Sequence, residues 1–164
     1  MSEANEIAWD NGTYARLVPS EGTQQKIASL MDMINVENAI SAKSLHTTVV
    51  YSKVSCDSIK NIPVSLPLKA HGVGFELFPN ADGGTPCLVL KIESEELRDL
   101  HEECIREHGA KHAYPEFSPH ITLSYDYTVG HLPNESLVVY FDDLHFDQYI
   151  VEPLNTNWSA EKDK

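Results

Sequence analysis

Two octets carry the residues in this sequence whose types and spacing suit chemistry. They are Ser44-Leu45-His46-Thr47-Thr48-Val49-Val50-Tyr51 and Ser118-Pro119-His120-Ile121-Thr122-Leu123-Ser124-Tyr125. Each has a histidine at its third position, a threonine two residues later and a tyrosine at its end. Imidazole titrates at about 6.5, so it exchanges protons near neutral pH. Two imidazoles on opposite sides of a phosphorus can divide the labour. One neutral ring takes a proton from the attacking oxygen, and one charged ring gives a proton to the leaving oxygen, each worth roughly 100- to 10,000-fold. Either histidine can start as base. The threonine hydroxyls would donate to non-bridging phosphate oxygens, and hydrogen bonds to charged groups contribute about 1.5–3 kcal/mol. Threonine is stiff at χ1, so its hydroxyl is aimed before substrate arrives. This scheme requires no metal and no cofactor.

The alternation in both octets suits a half-buried strand. On a strand, residues i and i+2 share a face about 7 Å apart. His46 and Thr48 therefore share one face, with Leu45, Val49 and Tyr51 opposite. His120 and Thr122 share another, with Ile121, Leu123 and Tyr125 opposite. Two such strands lying across a cleft would bring four polar side chains into one small volume.

The elements around the octets repeat. Residues 13–18 read as a strand ended by Pro19, and Ser20 caps a helix running to about Val36, with Ile27, Leu30, Met31 and Ile34 on one stripe. The first octet follows, as a strand over 45–53. Residues 56–67 form a proline-marked connection. Residues 71–78 and 87–92 read as a hairpin around the turn at 79–84. Ser94 caps a second helix with Glu95 and Glu96 in its first turn, and Gly109 closes it. Its inward stripe is Leu97, Leu100, His101, Cys104 and Ile105. The second octet follows, and strands over 137–141 and 146–151 complete the set. The two histidines stand 74 positions apart, close to half the chain. The pattern predicts two related halves, each a helix with antiparallel strands, in one α+β domain spanning residues 1–164.

Composition removes other classes. The chain has 164 residues, ample for a core. No apolar run is long enough to span a bilayer, and residues 1–12 lack the layout of a signal peptide. Cys56, Cys87 and Cys104 form no close-spaced pair, which predicts a reducing, cytoplasmic setting with the cysteines as core residues. Net charge is −13, from 12 basic and 25 acidic residues. That disfavours a long nucleic acid along the surface and leaves room for a small nucleotide in a local pocket. His108 and His112 are four apart, but Gly109 interrupts the helix between them and no carboxylate completes a metal site. His71, His101, His131 and His145 have no partner spacing, and Asp142-Asp143 reads as a solvated turn. No Gly-x-Ser-x-Gly elbow for acyl transfer is present.

The paired Leu-His46-Thr-Thr48-Val and Pro-His120-Ile-Thr122-Leu segments resemble the signatures of the 2H phosphoesterase superfamily. The resemblance covers residues 14–154. It implies a bilobal, pseudo-symmetric α+β fold in which two antiparallel sheets face a central cleft with helices outside. It also implies metal-independent phosphoester cleavage by His46, Thr48, His120 and Thr122. Within the superfamily, size, acidity and spacing look most like the phage anti-CBASS phosphodiesterases, which degrade the cyclic di- and trinucleotide signals of bacterial antiphage defence. That likeness assigns ligand-binding roles to Tyr14, Glu152 and Trp158, and to Phe78 in place of an aromatic on the hairpin. Stacking on a base is worth about 1–3 kcal/mol, and a carboxylate can accept from an exocyclic amine. The implied partner is a small cyclic nucleotide, with no membrane and no obligate protein partner. Two alternatives remain open: cleavage of RNA ends or 2′,3′-cyclic nucleotides, and a sponge that binds cyclic nucleotides without turnover.

Overall fold

Strand β1 (Thr13–Pro19) alternates fully buried Thr13, Ala15 and Leu17 with half-buried Tyr14, Arg16 and Val18, so one face meets the core and the other meets the site. A computed structural model of the chain describes residues 12–80, 84–113 and 116–154. After β1 come helix α1 (Glu21–Met33), β2 (Thr47–Ser52), β3 (Leu68–Phe78), β4 (Cys87–Glu93), helix α2 (Glu95–His108), β5 (His120–Ser124) and β6 (Leu144–Pro153). All strand pairings are antiparallel. The order is β2-β1-β6-β3-β4-β5, which places the two octet strands at opposite ends. The two expected sheets are joined through β3: its start, Leu68–Ala70, pairs with β6, and residues 71–78 pair with β4.

Both helices start where the sequence places their caps. The Ser20 hydroxyl accepts from the Thr23 amide at 3.3 Å, and that of Ser94 from the Leu97 amide at 3.1 Å. Helix α1 stops at Met33, short of Val36, because Asn35 takes a left-handed φ of 57°. Helix α2 ends on Gly109 at φ 74°, as its glycine requires. Leu97, Leu100, His101 and Cys104 are buried, but Ile105 is 37 % exposed, one step too far around the helix to face the core. Helix α1 packs on β1 and β6, and α2 on β2 and β3.

Residues 137–141 do not form a strand. Glu135–Tyr140 is a 3-10 helix capped by Asn134, whose side-chain oxygen accepts from the Ser136 amide at 2.9 Å. Asn134 supplies the turn, and the apolar run after it does not alternate: Leu137 and Val138 are half-buried while Val139 and Tyr140 are exposed. Beyond that turn, the Phe141 carbonyl accepts from the Gly72 amide at 2.6 Å, and a Cβ at Gly72 would meet Phe141 and Leu90 at 3.0 Å. Glycine permits that close approach, where β3 carries a bulge between Gly72 and Gly74.

The outer edges of both octet strands are covered by crossed segments. The lead-in to β2 reaches across to β5, with the Ile40 amide donating to the Leu123 carbonyl at 2.9 Å. The lead-in to β5 reaches back to β2, with the Ala113 amide donating to the Tyr51 carbonyl at 2.8 Å. Neither edge is thus left as an open ladder. His112 extends the second crossing, because its Nδ1 accepts from the Tyr51 amide at 3.2 Å. His101 Nδ1 donates to the Val49 carbonyl at 2.6 Å, its ring stacks on Phe117 at 3.7 Å, and it meets the His112 ring at 4.9 Å.

An Nδ1 that accepts from an amide cannot also carry a proton, so this cluster demands a neutral His112. Burial, joined by the neighbouring His101, pushes the His112 pKa from its ordinary 6.5 down to about 4. Burial lowers His101 too. The unfolded chain then binds protons that the folded chain refuses. Stability is therefore fully present above about pH 6.5 and is lost as pH falls toward 4. The carboxylates of Glu93 and Asp143 are held below their ordinary 4.5 and 3.8, so they act at lower pH. The urea midpoint should fall between pH 7 and pH 4.5, and His112→Gln, which keeps an acceptor but does not titrate, should fall less. Equal slopes in the two proteins would remove His112 as a cause.

Candidate active site

His46 stands one residue before β2 and His120 opens β5, so each imidazole sits where a strand leaves its lead-in segment. The rings are held alike. His46 Nδ1 bonds the Ser44 carbonyl at 2.8 Å, and His120 Nδ1 bonds the Ser118 carbonyl at 2.7 Å. A carbonyl only accepts, so each Nδ1 carries hydrogen and the neutral ring keeps its lone pair at Nε2. Both octets thus present one tautomer, with Nε2 left for proton transfer.

Thr47 joins the octets. It is buried, and its hydroxyl donates to the backbone carbonyl of His120 at 2.8 Å. That single bond brings the two ends of the sheet together at the level of the histidines. Thr48 lies one residue beyond Thr47 and Thr122 two beyond His120, both half-buried. Tyr14 Oη lies 3.2 Å from Thr48 Oγ1, which places Tyr14 in the site.

A bulge follows each threonine. On β2, Arg16 pairs with Thr48 and Ala15 with Val50, which leaves Val49 extra. On β5, Val89 pairs with Thr122 and Leu88 with Ser124, which leaves Leu123 extra. Each bulge buries two successive residues, and on β2 it inverts the strand's alternation beyond it. Tyr51 is consequently not opposite His46 and Thr48, as strict alternation predicts. It pairs with Tyr14 on the site face, the two rings meeting edge to face at 6.1 Å.

The sheet reads the same from both ends. Next to each octet strand is a strand bearing a cation, and next inward is one bearing its carboxylate. Arg16 on β1 stands opposite Thr48 and pairs with Glu152 of β6 at 2.5 Å. Lys91 on β4 stands opposite His120 and pairs with Glu76 of β3 at 3.3 Å. Phe78 at the end of β3 meets the His120 ring edge-on at 4.7 Å. Burial pushes the His120 pKa below its ordinary value; the positive charges of His46 and Lys91 act in the same direction, against the Ser118 carbonyl and Glu76.

The structure thus brings His46, Thr48, His120 and Thr122 together with Tyr14, Phe78 and Glu152. Glu152 lies opposite Tyr14 in the β1–β6 register and is already engaged by Arg16. Trp158 lies outside the described residues. His108 and His112 part company: the first bonds Ser58 at 2.8 Å and the second faces His101 and Phe117. Among the described residues no group of three or more His, Cys, Asp or Glu is placed to hold a metal ion. None of their helices is long and apolar enough to cross a membrane. Thr47, Arg16, Lys91 and Glu76 also belong to this site, although motif spacing does not single them out. Two carry a visible signal: Lys91 interrupts the apolar run of β4, and Thr47 is a hydroxyl on the buried face of β2, where it needs a partner.

Residues 11–161 match the family described as Anti-CBASS protein Acb1. The chain belongs to the anti-CBASS protein Acb1 family. It is 32 % identical over 154 residues to the Acb1 of Enterobacteria phage T4, covering 93 % of this chain and 95 % of that one. It is 30 % identical over 151 residues to the Acb1 of Yersinia phage phiR1-RT, covering 92 % and 93 %. The fold is similar to that of E. coli LigT complexed with 3′-AMP, with a TM-score of 0.53, 14 % identity and 86 % of each chain covered. It is also similar to Kluyveromyces marxianus Usb1 with uridine monophosphate, with a TM-score of 0.51, 12 % identity and 89 % and 99 % covered. Family membership and fold agree: an Acb1-family chain carries a fold similar to those of LigT and Usb1.

Thr47→Val keeps shape and removes the bond to the His120 carbonyl. Leaving that carbonyl unpaired should cost about 1–3 kcal/mol, read as a lower urea midpoint, and kcat should fall because the two imidazoles are no longer tied in register. A variant with wild-type midpoint and kcat would show that other contacts close the site.

Proposed function

We propose that this Acb1-family chain cleaves the 3′–5′ linkages of cyclic di- and trinucleotides in the cytoplasm of an infected host cell, without a metal ion. The observation that supports this most is the matched pair of Nδ1-anchored imidazoles tied together through Thr47. A ribose 2′-hydroxyl beside a 3′–5′ linkage attacks the phosphorus while one Nε2 accepts its proton. The other Nε2, charged, protonates the departing 5′-oxygen. A 2′,3′-cyclic phosphate results, and water opens it with the imidazoles in exchanged roles.

Thr48 and Thr122, one per octet, donate to the non-bridging oxygens, whose charge grows as the bond forms. Tyr14 and Phe78 offer aromatic surface on either side of the histidines, suited to the faces of bases. Glu152 offers an acceptor for an exocyclic amine, its carboxylate oriented by Arg16. Trp158 keeps the same base-stacking assignment on sequence likeness. A ring of two or three nucleotides asks for a short, enclosed set of contacts, which suits a protein with net charge −13 better than a long polyanion does.

The test is incubation with a panel of cyclic di- and trinucleotides in chelator, beside RNA ends and 2′,3′-cyclic nucleotides. Cyclic rings should be consumed fastest and chelator should not slow them. Ligand recovered intact would make the protein a sponge, and faster cleavage of RNA ends would replace the substrate. His46→Ala and His120→Ala should each lose roughly 100-fold or more with the urea midpoint retained. Thr48→Ala and Thr122→Ala should lose roughly 10- to 100-fold, one hydrogen bond to a charged oxygen apiece.

A further inference from the structure

Strand β4 lies between β3 and β5, and Leu88, Val89, Leu90 and Ile92 are buried. Lys91 breaks that run at the one position directly opposite His120. Directly opposed residues on antiparallel strands project from the same face, with Cβ atoms about 5 Å apart. On its other side Lys91 faces Gly74, which brings no side chain, and its ammonium reaches diagonally to Glu76 at 3.3 Å. A half-exposed ion pair such as this adds little stability. Its place beside a working imidazole is what needs a reason.

Among the described residues, the titratable and charged groups that act on His120 are His46 from the lead-in of β2, Lys91 from β4 and Glu76 from β3. Phe78 closes the remaining side with an apolar ring. A fixed positive charge opposite one imidazole and not the other distinguishes two rings that are otherwise held alike. In the first lobe the corresponding cation, Arg16, stands opposite Thr48. The palindrome of the sheet is broken at this point.

We propose that Lys91, steadied by Glu76, is a positioning residue that disfavours the imidazolium at His120, so that His120 starts as the proton acceptor and His46 as the proton donor. This rests on the phosphodiesterase reading above and assigns the roles within it. His120 Nε2 takes the 2′-hydroxyl proton as the O2′–P bond forms, and His46 gives its Nε2 proton to O5′ as the P–O5′ bond breaks. The products are a 2′,3′-cyclic phosphate and a free 5′-hydroxyl, with His120 now charged and His46 neutral. In the second step His46 takes a proton from the attacking water and His120 returns its proton to O2′. Lys91 hastens that return, because a disfavoured imidazolium is the stronger acid. Glu76 sets the limit, since without it His120 would bind protons too weakly to accept the first one. The lowering of His120 by burial and by the Lys91 charge, opposed by Glu76, points the same way.

Two measurements test this on the full chain. The first is the NMR titration midpoint of the His120 C2–H, which needs no substrate. The second is the pH profile of kcat/KM on a cyclic dinucleotide, whose limbs report the free enzyme's essential acid and base. Lys91→Met should raise the His120 midpoint and carry the acidic limb up with it by about half a pH unit or more. Glu76→Gln should move both down. Lys91→Arg should keep the limbs where the wild type has them. A midpoint unmoved by Lys91→Met and Glu76→Gln overturns the proposal, as does movement of the alkaline limb in place of the acidic one. Wild-type protein that ignores cyclic dinucleotides but opens 2′,3′-cyclic nucleotides counts against the substrate only; on that substrate His120 is the acid, so Lys91→Met should raise the alkaline limb together with the His120 midpoint, and movement of the acidic limb instead overturns the proposal. Wild-type protein that cleaves no phosphodiester overturns both.

Discussion

The hydrogen bond from the Thr47 hydroxyl to the His120 carbonyl is the constraint on which the rest of the molecule depends. A six-stranded antiparallel sheet with its functional residues on the two outermost strands would ordinarily hold them at maximum separation, since neighbouring strands are about 4.8 Å apart. Here the sheet bends until its ends meet, and Thr47 spans the seam. The bond is local to the chemistry, because its donor lies between His46 and Thr48 and its acceptor belongs to His120 itself. The crossed lead-ins at Ile40 and Ala113 serve the same closure from outside, each finishing the edge of the other lobe's strand. A backbone carbonyl engaged in this way cannot drift without also moving the Nδ1 anchor two residues upstream.

The bulges explain how one short strand can serve both core and site. His46 and Thr48 project into the site by ordinary alternation, but a strand that kept alternating would turn Tyr51 toward the core. The extra residue at Val49 buries two apolar side chains in succession and returns Tyr51 to the site face, against Tyr14. Leu123 is the corresponding extra residue after Thr122, but β5 ends at Ser124 and Tyr125 stays buried in the core. Identical placement of an irregularity in two strands 74 residues apart is a stronger mark of duplication than the motif itself, because nothing in the motif demands a bulge.

That distinction also shows what could be read from the sequence. The four octet residues were legible because histidine and threonine at spacing two on an apolar-alternating strand have a chemical meaning without any partner. The helix starts at Ser20 and Ser94 and the stop at Gly109 were legible because caps are local chemistry. Strict alternation puts Tyr51 on the wrong face because a bulge leaves no trace in hydrophobic periodicity. The 3-10 turn over Glu135–Tyr140 reads as a strand for a related reason, since Leu-Val-Val-Tyr is strand-like in composition and only Asn134 speaks for a turn. Arg16 and Glu76 could not be found at all, and Lys91 shows only as a break in the apolar run of β4, because their meaning lies in cross-strand register, which is a property of pairing rather than of any one strand.

Register also resolves an apparent conflict in the electrostatics. A chain with net charge −13 repels an anionic ring at a distance, yet the proposed substrate asks its site to hold phosphates. At physiological salt, charges farther than about 8 Å are largely screened, so what matters is the set of groups within reach of the substrate. There each cation is already matched by a carboxylate, Arg16 with Glu152 and Lys91 with Glu76. The site therefore does not attract anions with loose positive charge. It presents hydroxyls that need no counter-ion, and two imidazoles of which burial and Lys91 keep one neutral. A site with two permanent cations in place of those imidazoles would grip substrate and product phosphates alike, and uniform grip does nothing for the chemical step. In the proposed mechanism the charge rises on one ring as it falls on the other, so the electrostatic hold moves with the proton and is strongest while the bonds are changing.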